Sequence, residues 1–287
     1  MPELPEVEMV RRQLEDKIIN KKIIDILVKN FKSVENNSSF ITELKGQKIT
    51  SINRIGKYLF LSTDKTNLYI IAHLKMTGRM IYVSYKDDIQ YGGGHALSKP
   101  QAKQPHKHTR IILAFADGSH LYFNDMRKFG YMKIVTKDEV DSQRASLGRE
   151  PISDDYTYEY LEEVLKGRKT SVKAALLNQG DIAGLGNIYV DEACWRSKIR
   201  PDRSAEDLSL TEIKKLHKST RSVLQDAITY GGTTFRDYVD TNGKHGNFTD
   251  KLAVFGRDEE ECRRCGSIIE KIRVAGRGTH FCPDCQK

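Results

Sequence analysis

The sequence lacks any apolar run that approaches the ~20 residues of a membrane-spanning helix. Its first residues also lack the basic start and the apolar stretch of a secretory signal peptide. A disordered chain is excluded as well, because 38% of the 287 residues are hydrophobic, enough for sizeable cores. The sequence therefore predicts a folded, cytoplasmic protein without a membrane partner, and its length favours two domains with a small third unit.

Cysteine is scarce, and four of the five cysteines are confined to residues 262–285. They form two C-x-x-C pairs separated by sixteen residues, a spacing typical of zinc sites. Cys262, Cys265, Cys282 and Cys285 would bind one structural Zn2+ ion in a closed four-thiolate site. Two disulfides are the alternative, which a cytosolic chain disfavours. The fifth cysteine, Cys194, lacks a partner at such a spacing and is predicted to be a buried helical thiol.

Acidic residues are in the minority, since 47 Lys and Arg face 39 Asp and Glu and the net charge is +8. A basic balance of this size favours a polyanionic partner such as nucleic acid. The segment between the cysteine pairs predicts a basic hairpin with Arg277 at its tip. Such a tip either contacts DNA or is an ordinary solvated loop charge, and the hairpin alone does not decide between them.

Residues 1–137 contain short apolar runs separated by turn sequences, after a first helix. The predicted strands are KIIDILVK, KITSINRI, KYLFLS, NLYIIAHL, RIILAF and HLYFND. Many short strands at near-regular spacing indicate a sandwich or a barrel. The stretch from Tyr85 to His108 is rich in Gly, Pro and Lys and lacks apolar periodicity, so it predicts a long surface loop.

Residues from about 150 to 230 have helical patterns instead. YEYLEEVLKG and TSVKAALLNQG are predicted helices that stop at Gly167 and Gly180. The clearest helix is SLTEIKKLHKSTRSVLQDAI, in which Ser209 and Glu212 fit a capping box and one apolar stripe predicts core packing.

The chain starts MPELPE, which puts two prolines and two glutamates where most chains are loosely ordered. If Met1 is removed, Pro2 carries a free secondary amine with a pKa near ~8, more nucleophilic at neutral pH than a lysine. Pro2 could then act by covalent amine catalysis, with Glu3 shuttling protons. The alternative is a helix start with Pro5 in the first turn, which does not explain Pro2 and Glu3.

Five motifs follow one another along the chain. They are MPELPEVE at the start, HLKMTGRM at 73–80, NDMRKFGYM at 124–132, GLGNIYVDEA at 184–193 and the terminal C-x-x-C pairs. Together they span essentially the whole chain and resemble the bacterial formamidopyrimidine-DNA glycosylase family. Leu4 favours this branch over the endonuclease VIII branch, whose start more often reads MPEGPE.

The resemblance implies a multidomain α+β fold. An N-terminal antiparallel β-sandwich with flanking helices would occupy residues 1–137, followed by a linker over 138–152. A helix-two-turn-helix domain would occupy 153–249, and a β-hairpin zinc finger 250–287. Residues 228–248 correspond to a loop that caps the extruded base, and their glycines suit a lid, although a simple interdomain linker is the alternative.

The family implies a bifunctional DNA glycosylase and AP lyase of base excision repair. It would excise 8-oxoguanine and formamidopyrimidines through a Schiff base and then cleave the strand by β,δ-elimination. Carried over, Pro2 is the nucleophile, Glu3 the general acid/base, and Glu6 supports the site. Lys57 would donate a proton in β-elimination, unless it is a plain strand-end lysine, and Arg277 would hold the phosphate for δ-elimination. The partner would be damaged double-stranded DNA, bound by a monomer that is nucleoid-associated when on DNA.

Further residues match DNA-contacting positions of the family. Met76, Arg127 and Phe129 match a triad that fills the gap left by an extruded nucleotide, with Arg127 bonding to the orphaned base. Without the motifs, Met76 and Phe129 would be assigned to the core.

Phosphate contacts are expected from positions spread over both halves of the chain. Asn187 would grip phosphate at a helix start, unless GLGNIY is only an interhelix turn. The other backbone-contacting positions are His108, Arg168 and Lys173, and the long 85–108 loop makes the match of His108 less direct.

Two rival functions stay open. One is the same scaffold with the preference of endonuclease VIII for oxidised pyrimidines, which substrate profiling would separate. The other is a non-catalytic zinc DNA-binding protein, in which replacing Pro2 changes nothing.

Overall fold

In a computed structural model, which describes residues 1–85, 89–92, 103–233 and 248–287, the chain forms two compact units. Unit 1 contains Met1–Ala145 and the stretch that starts at Gly231, and unit 2 contains Ser146–Tyr230 and Phe248–Lys287. The sequence-based boundaries grouped the stretch from Gly231 with the helical domain instead. Within the described ranges, no helix is both long and apolar enough to span a membrane.

Unit 1 begins with helix α1, Leu4–Ile18. Glu3 is its N-cap and proline lies in the first turn, in agreement with the predicted helix start. Apolar side chains recur at helical spacing on one face of α1, which is buried in the core of the unit: Val7, Val10, Leu14 and Ile18. Two short helical segments follow later in the chain, a 3-10 turn at Phe31–Val34 and α2 at Phe40–Leu44.

Among the described residues of unit 1, nine strands form two antiparallel sheets. The five-stranded sheet contains β1 Ile23–Val28, β5 Gly78–Val83, β6 Ile89–Gly92, β7 Thr109–Phe115 and β8 His120–Asp125, in the order β1-β7-β8-β5-β6. The four-stranded sheet contains β2 Ile49–Ile55, β3 Tyr58–Thr63, β4 Tyr69–His73 and β9 Tyr131–Val135, in the order β2-β3-β4-β9. Buried side chains of both sheets share one core, including Ile52, Leu61, Ile70, Ile111, Leu113 and Phe123. This is the antiparallel sandwich that the resemblance implied.

The six predicted strands are present, but β5 and β9 were not predicted as strands. Strand β6 lies inside the stretch 85–108, so the prediction of a continuous surface loop is wrong at Ile89–Gly92. It pairs with β5 from Val83↔Ile89 to Met80↔Gly92, and such backbone pairing does not need an apolar pattern. Residues 86–88 and 93–102 of the predicted loop lie outside the described residues. Helix α3, Lys137–Ala145, occupies part of the predicted linker.

Unit 2 has four helices among its described residues: α4 Tyr158–Leu165, α5 Val172–Leu177, α6 Asn187–Ser197 and α7 Leu210–Thr229. The predicted capping box of Ser209 and Glu212 starts α7, whose apolar stripe is buried apart from a half-buried Ile228. Gly167, with φ +67°, follows α4 as predicted. Helix α5 ends at Leu177, short of Gly180, because Asn178 is extended.

The end of unit 2 is a β-hairpin of β10, Glu270–Val274, and β11, Arg277–Phe281. The turn between the strands contains Ala275 and Gly276 at φ +49° and +71°. Arg277 is exposed where β11 begins, as the predicted hairpin required.

Candidate functional site

The first six residues are ordered and buried although they are a chain terminus. Pro2 is buried, Glu3 is 1% exposed, and Met1 is 37% exposed. The backbone N–H of Glu3 donates to Glu6 Oε2 at 2.8 Å, which fixes the peptide next to Pro2 at the start of α1. Helix-start chemistry and a sheltered Pro2 therefore coexist in the same six residues.

Glu6 also bonds to a segment far away in the sequence. Its Oε1 accepts the backbone N–H of Thr233 at 2.8 Å and the Thr233 hydroxyl at 3.0 Å. Gly232 has φ +84°, and a Cβ there would lie 2.8 Å from Glu6 Oε1, so the close approach requires glycine. These bonds attach Thr233 to α1 and so agree with the assignment of Gly231, Gly232 and Thr233 to unit 1. Most of the predicted capping loop, residues 234–247, lies outside the described residues.

Glu8, the third glutamate of the segment, has cationic partners. Burial alone would raise its pKa, but hydrogen bonds from Arg11, Arg12 and Arg54 outweigh it and lower the pKa of Glu8 to about 2. Arg54 lies 2.9 Å from the Glu8 carboxylate and also donates to the Gly56 carbonyl at 3.0 Å. The network therefore links α1 to the β2–β3 turn that precedes Lys57.

Lys57 is 7% exposed and immediately precedes β3, so it is not a plain surface lysine. His73, which sequence analysis did not assign, lies at the end of the neighbouring strand, where it pairs in register with Tyr58. Burial and then the positive charges of Lys75 and Lys57 lower the pKa of His73 to about 3. Its Nδ1 accepts the Lys75 backbone N–H at 2.9 Å. Only its position inside the HLKMTGRM motif could have drawn attention to it.

Met76, Arg127 and Phe129 lie together. The Arg127 guanidinium contacts Met76 Sδ at 2.8 Å and lies 5.0 Å from the centroid of the Phe129 ring. Met76 is 38% and Phe129 55% exposed, so assigning either side chain to the core would be wrong. Two exposed apolar groups around one arginine form a suitable tip for insertion into a base stack.

His108 lies in a basic cluster at the start of β7. Its backbone N–H donates to His106 Nδ1 at 3.0 Å, and the two rings lie 5.7 Å apart. Partial burial and the charges of Lys107, Arg110 and Arg79 lower the pKa of His108. The cluster offers several donors to an anion, and His108 is half-buried within it.

In unit 2, Lys173 differs from the surface position that was expected. Its side chain is fully buried, with Nζ 2.6 Å from the equally buried Asp191 carboxylate and 3.3 Å from the Gly278 carbonyl. Asn187 Nδ2 donates to the same carbonyl at 3.0 Å. Lys173 and Asn187 therefore hold the hairpin backbone next to Arg277, whose own side chain is exposed. Sequence reasoning missed Asp191 because its partners are 18 and more residues away.

Two further acceptors in unit 2, Asp181 and Glu192, hold basic or backbone donors. Arg168 is half-buried and paired with Asp181 at 2.7 Å. Glu192, next to Asp191, is buried and accepts the backbone N–H groups of residues 253–255 at 2.9–3.0 Å. Burial raises the pKa of Glu192, against these hydrogen bonds. It fixes the segment that leads into the hairpin.

The four terminal cysteines cluster with all sulfur atoms within 4.8 Å of one another. Cys262 and Cys285 have their sulfurs 3.9 Å apart, and Cys265 and Cys282 3.5 Å apart. Sulfurs at about 2.3 Å from a tetrahedral zinc ion are about 3.8 Å from one another, whereas a disulfide needs about 2.05 Å. The cluster therefore fits one Zn2+ ion. Cys194 is a buried thiol in α6, as predicted.

Known proteins match this architecture along its length. Family models match residues 1–132 as the formamidopyrimidine-DNA glycosylase N-terminal domain, 147–239 as the formamidopyrimidine-DNA glycosylase H2TH domain, and 259–287 as a zinc finger found in FPG and IleRS. The formamidopyrimidine-DNA glycosylase of Listeria monocytogenes serotype 4b is 40% identical, with both chains covered completely.

Solved structures agree with the sequence matches. Lactococcus lactis Fpg in complex with DNA that contains an abasic site has a TM-score of 0.86 and 38% identity over 99% of both chains. A variant of the same enzyme bound to DNA that contains Fapy-dG gives the same TM-score and identity over 100% of both chains.

Proposed function

The chain belongs to the formamidopyrimidine-DNA glycosylase family, and from that premise we propose how its own residues carry out the reaction. It is a bifunctional DNA glycosylase and AP lyase of base excision repair that removes oxidised purines from duplex DNA. The observation that carries the residue-level proposal is the burial of Pro2 together with Glu3 and Glu6, where the Glu6 carboxylate fixes the Glu3 backbone next to Pro2.

The reaction starts at the Pro2 nitrogen after Met1 has been removed. A free proline amine has a pKa near ~8, so part of it is neutral at physiological pH. Its lone pair attacks C1′ of the damaged nucleotide, the glycosidic bond breaks, and the base leaves with a proton. Glu3 protonates the ring oxygen so that the sugar opens, which gives an iminium between Pro2 and C1′.

The iminium then acts as an electron sink. Because its nitrogen has no proton to lose, it stays cationic and acidifies the C2′–H bond. Loss of that proton expels the 3′ phosphate, and a second elimination expels the 5′ phosphate. We assign Lys57 as proton donor in the first elimination, supported by its burial beside the Arg54-bound turn. Arg277 is assigned to bind the phosphate that leaves in the second elimination.

Lesion extrusion is assigned to the exposed triad. Met76 and Phe129 would occupy the gap left in the stack, while Arg127 donates to the orphaned base, which we propose to be cytosine. Extrusion costs a few kcal/mol, and the apolar contacts of these side chains would offset part of it. The support is their mutual contact and their exposure.

Phosphate binding in unit 2 is assigned to Asn187, Arg168 and Arg277, and in unit 1 to His108. For Lys173 we propose a positioning role beside the phosphate contacts, supported by its buried ammonium group, which lies 3.3 Å from the hairpin carbonyl of Gly278. Cys262, Cys265, Cys282 and Cys285 hold the structural ion that folds the base of this hairpin. We propose a cytoplasmic monomer, nucleoid-associated when bound to DNA.

Borohydride trapping tests the nucleophile directly. The purified protein is mixed with an 8-oxoguanine:cytosine duplex and sodium borohydride, and the adduct is located by mass spectrometry. We expect one covalent adduct on Pro2 of a chain that lacks Met1. The matched control is the same chain with an N-terminal extension, in which the Pro2 nitrogen stays an amide. That control should bind DNA but form no covalent adduct with it.

An adduct at another residue would contradict the assignment of Pro2. If no adduct forms with either the lesion duplex or an abasic duplex while DNA still binds, the chain is a non-catalytic zinc DNA-binding protein. Faster excision of an oxidised pyrimidine than of 8-oxoguanine would favour the endonuclease VIII preference instead.

A further inference from the structure

One buried carboxylate connects the two turns that carry the proposed wedge. Asp125, at the end of β8, is 1% exposed. Its Oδ1 accepts the Thr77 hydroxyl and, at 3.1 Å, the backbone N–H of Arg127. Its Oδ2 accepts the backbone N–H of Gly130 at 2.7 Å. Thr77 follows Met76, and Gly130 follows Phe129. Asp125 therefore accepts hydrogen bonds from Arg127 itself and from the residues that follow Met76 and Phe129.

Thr77 adds a second connection between the turns. Its hydroxyl oxygen accepts the Arg127 N–H at 3.0 Å while the hydroxyl donates to Asp125. The hydroxyl therefore bridges the Met76 turn and the Arg127 turn. A serine could make the same two bonds at this position, and a valine could make neither.

Both turns are in strained or tightly packed conformations. Lys75, which precedes Met76, has φ +50°, and Lys128, between Arg127 and Phe129, has φ +60°. Residues other than glycine rarely adopt this region, and they cluster where the surrounding structure enforces it for function. A Cβ on Gly130 would lie 2.9 Å from the Phe123 ring and 3.2 Å from Asp125 Oδ2. The turns therefore have little room to shift while Asp125 holds them.

We propose that Asp125, together with the Thr77 hydroxyl, is the positioning element that keeps the Met76 turn and the Arg127–Phe129 turn in register. The inference rests on the proposed wedge function of these side chains. A carboxylate that is 1% exposed acts through the turns and not by contacting DNA. By fixing the Arg127 backbone, it orients the guanidinium that reads the orphaned base, and so it sets selectivity for cytosine opposite the lesion.

Asp125→Asn tests the proposal with almost no change in shape. The amide keeps one acceptor oxygen and replaces the other by a donor, so it can no longer accept from Thr77 and Arg127 on one side and from the Gly130 N–H on the other at the same time. We expect the preference for 8-oxoguanine opposite cytosine over adenine to fall roughly tenfold, the loss of one well-oriented contact to a base. Borohydride trapping on a duplex that already contains an abasic site should change much less, because imine formation there does not require recognition of the opposite base.

Thr77→Val and Thr77→Ser form a matched pair in case Asp125→Asn does not fold. Valine should reproduce the loss of opposite-base preference, and serine should retain the wild-type preference. If Thr77→Val keeps the wild-type preference, the proposal is overturned. The same conclusion follows if valine lowers excision opposite both bases, abasic trapping and thermal stability together, since that pattern reports general destabilisation.

A fluorescence measurement on DNA that cannot react tests the positioning role of Asp125 and Thr77 independently of the proposed catalytic activity. Fluorescence of 2-aminopurine placed opposite a tetrahydrofuran abasic analogue reports insertion of the wedge in a duplex that cannot react at C1′. Wild-type protein should change the signal, and Thr77→Val should reduce that change. If the wild type changes the fluorescence yet traps no lesion, the enzymatic proposal fails while the positioning role stands. Equal signals from both proteins overturn the positioning role.

Discussion

Three glutamates within the first eight residues differ in their partners, and the partners decide what each can do. Glu8 is bound by three arginines and has a pKa of about 2, so it stays a carboxylate and cannot donate a proton at neutral pH. The Glu6 carboxylate oxygens accept hydrogen bonds from the Glu3 backbone and from the backbone and hydroxyl of Thr233. Glu3 is the carboxylate adjacent to Pro2, which favours it for proton transfer.

His73 gives a prediction for stability against pH. Its pKa is about 3 in the folded state and about 6.5 in an unfolded chain. The unfolded state therefore binds more protons between these values, and stability decreases as pH falls below about 6.5. We expect about 2 kcal/mol less stability from this group at pH 5 than at pH 7. Urea denaturation of wild type and His73→Gln at both pH values checks it.

The glutamine variant is the comparison that isolates His73, since His106 and His108 titrate in both proteins. Its stability should fall less between pH 7 and pH 5 than that of the wild type. Equal pH dependence of the two proteins would show that His73 is not held neutral in the fold.

Residue roles were predictable where a motif or a short spacing carries them. Pro2, Glu3 and the four cysteines are adjacent or regularly spaced in sequence, so their chemistry can be proposed before any fold is known. Burial of Lys173 could not be predicted, because its charge partner Asp191 lies on another helix. A lysine in a basic protein with a DNA-binding resemblance otherwise suggests a phosphate contact.

At the scale of elements, helix α6 holds the hairpin by one face. Asn187, Asp191 and Trp195 follow one another at four-residue spacing, which places them on the same side of a helix. Asn187 donates to the Gly278 carbonyl, Asp191 accepts the His280 N–H at 2.9 Å, and Trp195 Nε1 lies 3.4 Å from Cys262 Sγ. The helix therefore contacts the tip, the strand and the metal end of the finger.

Trp195→Phe tests the last of these contacts. The indole N–H donates to the Cys262 sulfur, and phenylalanine keeps an aromatic ring under the Arg264 guanidinium, 4.0 Å from the indole ring. Loss of a hydrogen bond to a ligand atom typically weakens metal binding about 10–100-fold. We expect the variant to lose zinc faster to a chromogenic chelator. Release at the wild-type rate would mean that this bond does not stabilise the thiolate.

The strands differ in whether their own sequence predicts them. Strands β1–β4, β7 and β8 have apolar runs between turn sequences and were predicted from them. Strand β6 was not, because its place in the sheet depends on pairing with β5. Periodicity reports which side chains face a core, whereas an edge strand can form by backbone pairing alone.

At the scale of the whole molecule, the net charge of +8 predicts salt-sensitive DNA binding. Each phosphate contact contributes about −0.9 to the slope of log K against log salt concentration. Arg277→Ala should make that slope shallower by about 1. Fluorescence anisotropy with a labelled abasic duplex over a salt series measures it.

Lys137→Ala is the matched control, because Lys137 is an exposed residue of α3 that pairs with Asp141 and has no assigned DNA contact. Its slope should equal that of the wild type. Identical slopes for wild type and Arg277→Ala would remove Arg277 from the phosphate-binding set.

The bonds between Glu6 and Thr233 join residues that lie 227 positions apart. They can therefore form only late in translation, after Thr233 has been synthesised. At about 5–20 residues per second, the ribosome makes the acceptor roughly 10–45 s before it makes the donors. Until then Glu6 Oε1 lacks the backbone and hydroxyl donors of Thr233 that it has in the finished fold. The nascent N-terminal unit therefore matures late, after the helices of unit 2 have been synthesised, and acquires its complete hydrogen-bonding pattern only near the end of translation.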